Sequence, residues 1–277
     1  MKNIILCVLL AFGILRADSF ILELGESFRE SYRQAKIQSK GKPKLVIIMD
    51  DIQNLAQYKS LLRLNLPITP SLFPKTPHSP DTPKIAAKAK DYMIHLPLEA
   101  LNFYQKELEP IAVGVSRDAL LAYMRALKKD FPNLKYLNNH TGSKFTTSYE
   151  DMRNLLSVLD ELDLRFIDSV TNADIASPKI AKEQGRLIMQ RDIFLDTIAQ
   201  SEHTERQIEL AIQKAKDKGY AIAICHPFPS TLQSLQNARD KLLQEVELLS
   251  PAQLESYLNA QHITSYHRSK FHFAQNR

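Results

Sequence analysis

The segment from Lys44 to Asp51 constrains the fold most, because a continuous apolar run ends there in two adjacent carboxylates. Residues 45–49 read Leu-Val-Ile-Ile-Met, and Asp50 and Asp51 follow directly. An apolar run without polar alternation is typical of a strand buried on both faces, as in a parallel sheet covered by helices. Two neighbouring carboxylates at its end repel each other and resist dehydration unless a cation or a proton lies between them. The segment therefore predicts a buried parallel strand that leads into a site.

Six further short apolar runs follow the first, and amphipathic helical patterns separate them. The seven runs lie at 45–49, 67–73, 92–96, 135–137, 164–167, 187–189 and 220–224. Strands that alternate with helices predict an α/β fold with a parallel sheet, open or closed into a barrel. No glycine-rich phosphate loop follows any run, which argues against an NAD-type oxidoreductase on a Rossmann sheet.

The N-terminal segment has the features of a targeting signal. Lys2 supplies a positive start, and residues 4–15 are apolar but too short to span a bilayer comfortably. We expect processing after Ala17; an uncleaved anchor, the alternative, would be the only membrane contact. Either way the remaining chain is expected on the exported side, in the periplasm. Cys7 lies within the signal, so Cys225 has no partner for an internal disulfide.

The predicted organisation has four parts. They are a signal peptide at 1–17, a linker or helix at 18–42, an α/β barrel domain at 43–250 and a basic tail at 251–277. The formal net charge is +5, but the positive residues are spread along the chain and are not grouped with aromatic residues. This distribution argues against a nucleic-acid partner.

Polar side chains stand at the carboxyl ends of six of the seven runs. They are Asp50 and Asp51, His95, Asn138, Asn139 and His140, Asp168, Arg191 and Asp192, and His226. Sites in α/β folds form at these strand ends. Two histidines and a carboxylate suit zinc with an open position for water. A second carboxylate can take the proton of that water, and a further histidine can protonate a leaving group. The pattern indicates metal-assisted hydrolysis of an amide or ester.

Six segments surround these side chains: IMDDI at 48–52, MIHLPLE at 93–99, NNHTGS at 138–143, FIDS at 166–169, RDIFLD at 191–196 and AICHP at 223–227. They resemble segments of the polysaccharide deacetylase superfamily, and specifically of its divergent branch of exported bacterial proteins. The resemblance implies a distorted seven-stranded (β/α) barrel, a zinc-type metal and removal of acetyl groups from N-acetylated sugars.

The resemblance also implies a ligand set for the metal. Asp51 would be one ligand, and His95 stands where ordinary deacetylases place their first metal histidine. Their second histidine lies four residues later, where this chain has Glu99, and Pro97 disfavours a helix across that interval. We therefore expect His140 as the third ligand, with Glu99 as the alternative.

The proton-transfer groups follow from the same resemblance. Asp50 would be the general base, and His226 would protonate the leaving amine. Asp168 or Asp192 would orient His226, while Arg191 could instead neutralise one of those acids.

The sequence thus predicts an exported zinc-dependent hydrolase that removes N-acetyl, or O-acetyl, groups from a cell-envelope glycan of the peptidoglycan type. The alternative is a catalytically weak descendant that binds glycan or an envelope protein through the same groove. Gln53, Cys225 and Phe228 depart from the residues usual in this branch. They affect the expected shape of the pocket and leave every proposed ligand in place. We expect Cys225 to be a buried small apolar residue and not a nucleophile.

Overall fold

The computed structural model of the protein describes residues 41–102 and 108–260. The predicted signal peptide at 1–17, nearly all of the 18–42 segment and the tail from 261 onward lie outside the described residues. None of the helices within the described ranges is long and apolar enough to cross a membrane.

All strands of the described chain belong to one sheet, and every pairing is parallel. The strands are β1 (Lys44–Ile52), β2 (Thr69–Leu72), β3 (Met93–Leu98), β4 (Tyr136–Thr141), β5 (Arg165–Asp168), β6 (Met189–Gln190), β7 (Ile193–Phe194), β8 (Tyr220–Cys225) and β9 (Glu247–Leu248). Their order is β6-β5-β4-β3-β2-β1-β8-β7, and β9 pairs with the start of β1. Parallel neighbours require a crossover connection, which is usually a helix.

Helices fill most of these crossovers. They are α1 (Leu55–Arg63), α2 (Thr82–Ala86), α3 (Arg117–Asp130), α4 (Tyr149–Glu161), α5 (Ser177–Gln184), α6 (Ser201–Lys218), α7 (Pro229–Asn237) and α8 (Arg239–Glu245). Each predicted apolar run overlaps a strand, and the two-residue strands β7 and β9 were not predicted. The expected α/β fold of the deacetylase type, with its strands curled toward a barrel, is confirmed.

The sheet curls because its two outer strands are neighbours in the chain. Only Arg191 and Asp192 separate β6 from β7, although these strands lie at opposite ends of the sheet. The three backbone steps from Gln190 to Ile193 span at most about 11 Å, so the two edges must lie close together. The backbone N–H of Arg191 bonds to Asp168 O at 2.9 Å, and that of Asp192 bonds to Ile222 O at 2.8 Å.

Both faces of β1 are buried, as its unbroken apolar run predicts. Leu45, Ile47 and Met49 belong to the large core between the sheet and the helices, and Val46 and Ile48 belong to a second core on the opposite face. Leu254 is fully buried in this second core. Residues 251–260 are helical, so the packed part of the chain extends beyond the predicted boundary at 250.

Candidate active site

The carboxyl end of β1 places two consecutive carboxylates against one histidine. The pairing of β1 with β2 shifts register between Met49 and Ile52, and Asp51 has a φ of 58°. Neighbouring side chains of a regular strand point to opposite faces, whereas an irregularity of this kind re-aims one of them. Asp50 Oδ2 lies 3.5 Å from His95 Nδ1, and Asp51 Oδ1 lies 3.4 Å from His95 Nε2. The two carboxylates therefore approach opposite nitrogens of the same imidazole.

Asp51, His95 and His140 form a cluster with the geometry of a metal site. Asp51 Oδ1 lies 3.4 Å from His95 Nε2 and 3.3 Å from His140 Nδ1, and the two imidazole nitrogens are 3.1 Å apart. Ligand atoms of a tetrahedral zinc with bonds of about 2.1 Å are separated by roughly 3.4 Å. The three atoms thus match one face of such a tetrahedron, and the fourth position is left for water or substrate.

The polar atoms of this cluster also fit a cation. Asp51 Oδ1 is a buried oxygen without a hydrogen-bond partner in the described chain. Burial opposes ionisation of Asp51, but its close contacts with His140 and His95 hold the pKa of this carboxyl well below its usual range. Burial lowers the pKa of His140 and so favours the neutral imidazole that metal ligation requires. An anionic oxygen and two imidazole nitrogens are a donor set that suits zinc.

Glu99, the alternative third ligand, is engaged outside this cluster. Its Oε1 accepts from Lys144 Nζ at 2.6 Å, and its Oε2 accepts from the backbone N–H of Val113 at 2.8 Å. The hydrogen bond from Lys144, and then that from Val113, lower the pKa of Glu99. The geometry therefore favours His140 over Glu99.

Asp50 is buried beside the metal cluster. Both its oxygens accept from Asn138 Nδ2, at 2.9 and 3.0 Å, and the side chain is almost inaccessible to solvent. Burial raises the pKa of Asp50, while His95 and then Asn138 act in the opposite direction. His95 and Asn138 offset only part of the increase due to burial, so Asp50 accepts a proton more readily than an exposed aspartate does.

His226 is held by a carboxylate that the sequence analysis did not single out, Asp196. Asp196 Oδ2 accepts from the backbone N–H of His226 at 2.7 Å and from Thr231 Oγ1 at 2.8 Å, and its Oδ1 lies 3.0 Å from His226 Nδ1. Burial would lower the pKa of His226, but Asp196 outweighs it, and Asp51 and Asp50 add to the effect, so that the pKa rises to about 9. His226 is therefore protonated at neutral pH.

Asp168, expected as one orienting acid, instead holds a strained turn. Its Oδ1 accepts from the backbone N–H of Val170 at 2.8 Å, and its Oδ2 accepts from Ser177 Oγ. Val170 has a φ of 52°, an outlier for a β-branched residue. Such strain persists only where the surroundings fix it, and this turn follows directly from a strand end at the site.

Asp192, the other expected acid, also lies apart from His226. Its oxygens accept from Lys218 Nζ at 3.0 Å and from the backbone N–H of Ile222 at 2.9 Å. Its contacts tie the start of β7 to β8 and to the end of α6. The expectation that Asp168 or Asp192 orients His226 is thereby corrected in favour of Asp196.

Arg191 binds the chain that follows β5. Its Nε donates to Ser169 O at 2.6 Å, and its Nη2 donates to Val170 O at 2.7 Å. Burial raises the pKa of Asp168, and the positive charge of Arg191 opposes this increase. Arg191 therefore joins the strained turn to the junction of β6 and β7, and its guanidinium lies 3.8 Å from the ring centre of Phe194.

Aromatic rings enclose the histidines. Phe73 contacts His140 edge-on, with ring centres 4.9 Å apart, and Phe194 stacks on His226 at 6.1 Å. The ring centre of Phe228, a side chain that is 39% exposed, lies 5.5 Å from that of His226. Cys225, next to His226, is fully buried, and burial raises the pKa of its thiol, so it is the inert apolar residue that the sequence predicts.

The chain is thus an α/β protein whose curled parallel sheet brings an aspartate–histidine cluster and a histidine–aspartate pair to its strand ends. The chain belongs to the divergent polysaccharide deacetylase family, which matches residues 47–254. The resemblance found in the sequence is thereby confirmed.

Relatives of the chain occur in several bacteria. An uncharacterized protein of Haemophilus influenzae is 30% identical over 213 residues, which cover 76% of each chain. The uncharacterized protein YibQ of Escherichia coli is 28% identical over 213 residues, which cover 76% of this chain and 67% of that one. The crystal structure of an uncharacterized protein from Agrobacterium tumefaciens has a TM-score of 0.67 at 16% identity, covering 77% of this chain and 89% of that one. This structural likeness supports the fold.

Proposed function

We propose that the protein is an exported, metal-dependent hydrolase that removes N-acetyl, or O-acetyl, groups from a cell-envelope glycan. The observation that carries the proposal is the convergence of Asp51 Oδ1, His95 Nε2 and His140 Nδ1 within 3.1–3.4 Å of one another. Membership of the divergent polysaccharide deacetylase family supports the reaction class. The Lys2 start and the short apolar segment at 4–15 support export.

Asp51, His95 and His140 would hold the ion, and zinc suits their donor atoms best. When bound, such an ion polarises a carbonyl oxygen and makes water more acidic. Side chains of the protein beside the ion would accept and donate the protons. Because Asp50 contacts His95 beside this cluster, it is placed to take a proton from the attacking water.

His226 would act as the proton donor, whereas Asp50 would act as the proton acceptor. Its pKa of about 9 keeps it protonated at neutral pH, and Asp196 first, then Asp51 and Asp50, raise that pKa against the effect of burial. A leaving amine must gain a proton as the carbon–nitrogen bond breaks. His226 donates that proton, and Asp196 keeps the ring in a fixed orientation through Nδ1.

The test measures acetate release from a panel of N- and O-acetylated envelope glycans by the zinc-loaded protein, beside Asp50→Asn and His226→Ala. Loss of general acid or base help should lower the rate on the order of 10²–10⁴-fold in each variant. Metal content should survive both substitutions, because neither residue is a proposed ligand.

Glycan binding, measured on the same panel, should also largely persist in the two variants. Suppose instead that the zinc-loaded wild type releases no more acetate than the variants on any glycan. The hydrolase proposal then fails, and a glycan- or protein-binding descendant of the family takes its place.

A further inference from the structure

Asn138 is a fully buried amide whose hydrogen-bonding positions are all used. Its Nδ2 donates to both oxygens of Asp50, at 2.9 and 3.0 Å, and to Ser169 Oγ at 3.2 Å. Its Oδ1 accepts from Ser71 Oγ at 2.6 Å and lies 3.1 Å from His95 Nδ1. An asparagine amide offers two N–H donors and two acceptor lone pairs, so no position remains free.

These contacts fix the orientation of the amide. Both oxygens of Asp50 face Nδ2, and an ionised carboxylate can only accept hydrogen bonds. The reversed orientation would place the amide oxygen of Asn138 against two carboxylate oxygens and would leave the buried carboxylate without a donor, which is costly. The amide oxygen must therefore face His95.

The orientation of the amide decides which nitrogen of His95 carries the proton. Because Oδ1 of Asn138 only accepts, His95 Nδ1 must be the donor, and a neutral imidazole then has its lone pair on Nε2. Nε2 is the atom that faces Asp51 Oδ1 at 3.4 Å and His140 Nδ1 at 3.1 Å. The bare nitrogen thus points into the cluster.

We propose that Asn138 is the positioning residue of the site: it selects the Nδ1–H tautomer of His95 and holds Asp50 with the same amide. Partners of this kind orient ligating histidines, and their loss typically weakens metal binding about 10–100-fold. The inference rests on the proposed function, since it concerns the same metal site. It adds that the metal ligand and the proton acceptor are held by one side chain, so that they move together.

The experiment measures zinc affinity by competition with a chromophoric chelator, and the His95 tautomer by ¹⁵N NMR of the metal-free protein at a pH where His95 is neutral. Asn138→Ala should bind zinc about 10–100-fold more weakly and lose the defined Nδ1–H signal. Asn138→Asp restores an acceptor to His95, and a proton shared between the new carboxyl and Asp50 replaces the lost amide donor. It should therefore recover the Nδ1–H signal and part of the affinity.

Asn139→Ala is the matched control. Asn139 is the neighbouring buried amide on β4, and its contacts run to the backbone of Ser169 and Thr141 and to Thr171 Oγ1. The control should keep the wild-type affinity and tautomer. Equal losses in Asn138→Ala and Asn139→Ala would show general disruption and overturn the positioning role.

Two other outcomes separate this inference from the proposed function. A wild-type chain that binds zinc, with unchanged affinity and tautomer in Asn138→Ala, overturns the inference alone. A wild-type chain that binds no zinc overturns the proposed metal site and the inference with it. If Asn138→Ala does not fold, Asn138→Asp decides: a His95 with its proton on Nε2 contradicts the inference.

Discussion

The carboxylate of Asp196 accepts the backbone N–H of His226 at 2.7 Å and lies 3.0 Å from Nδ1 of the same residue. This double contact fixes both the position and the charge of the imidazole. It raises the pKa of His226 from 6.5 to about 9 against the opposing effect of burial. The pair therefore has consequences for the pH dependence of both activity and stability.

We expect Asp196→Asn to shift the alkaline limb of the pH–rate profile toward acid. In the wild type the protonated His226 is lost as the pH rises through about 9. Without the carboxylate the pKa should return toward about 6.5, which lowers the protonated fraction at pH 8 about 30-fold. Acetate release across pH 6–10 (with pH about 8 as the comparison point) and an NMR titration of His226 check this. An unmoved limb would contradict the role of Asp196.

Asp192→Asn is the control for that experiment. Asp192 bonds to Lys218 and to the backbone of Ile222, so its loss should leave the alkaline limb in place even if it weakens the fold. A limb that shifted in Asp192→Asn but not in Asp196→Asn would restore the assignment made from sequence.

The same pair predicts a pH dependence of stability. Because the pKa of His226 is higher in the folded state than its ordinary value, its contribution is fully present below about pH 6.5 and is lost as the pH rises through about 9. Urea denaturation of the metal-free proteins from about pH 6 to about pH 10 measures the free energy of unfolding. Between about pH 6.5 and about pH 9, this free energy should fall less in Asp196→Asn than in the wild type. Parallel curves for the two proteins would contradict it.

The structure separates the two candidates for the third metal ligand. His140→Ala should reduce zinc binding strongly, because His140 Nδ1 is one of the three converging atoms. Glu99→Gln should bind zinc as the wild type does, because Glu99 is engaged with Lys144 and Val113. Zinc per chain after dialysis measures both variants. Retention in His140→Ala with loss in Glu99→Gln would reverse the assignment.

Packing of the 251–260 segment is testable by stability. Leu254→Ala removes a fully buried side chain from the second core and should cost about 2–5 kcal/mol of unfolding free energy. Leu243→Ala, at a side chain 39% exposed, is the matched control and should cost much less. Urea denaturation of both variants decides the point. Similar losses would show that residues 251–260 do not pack as described.

Several parts of the fold follow directly from the sequence. The apolar run at 45–49 predicts β1 because burial on both faces leaves no polar alternation, and Val46 and Ile47 do face different cores. Strand ends collect at one edge of a parallel sheet, so the sequence also brings Asp51, His95 and His140 to one region. Their role as metal ligands stays a prediction.

Other parts of the site depend on details too small to read from the sequence. Asp196 follows β7, a strand of only two residues without a recognisable apolar run, although the matching segment 191–196 ends on it. The positive φ of Asp51 coincides with the register shift between β1 and β2, which is a tertiary feature. Asn138 lies on β4, and its contacts with Asp50, Ser71 and His95 depend on the positions of three other strands, β1, β2 and β3.

The metal content of the purified chain, wild type beside Asp51→Asn, decides whether the three converging side chains hold a metal ion. Asp51 Oδ1 is the anionic member of the three converging atoms, so its replacement by an amide should remove most of the affinity. We predict that the wild type retains about one zinc ion per chain after dialysis and that Asp51→Asn retains little. A wild type without metal, or equal metal in both proteins, would contradict the account.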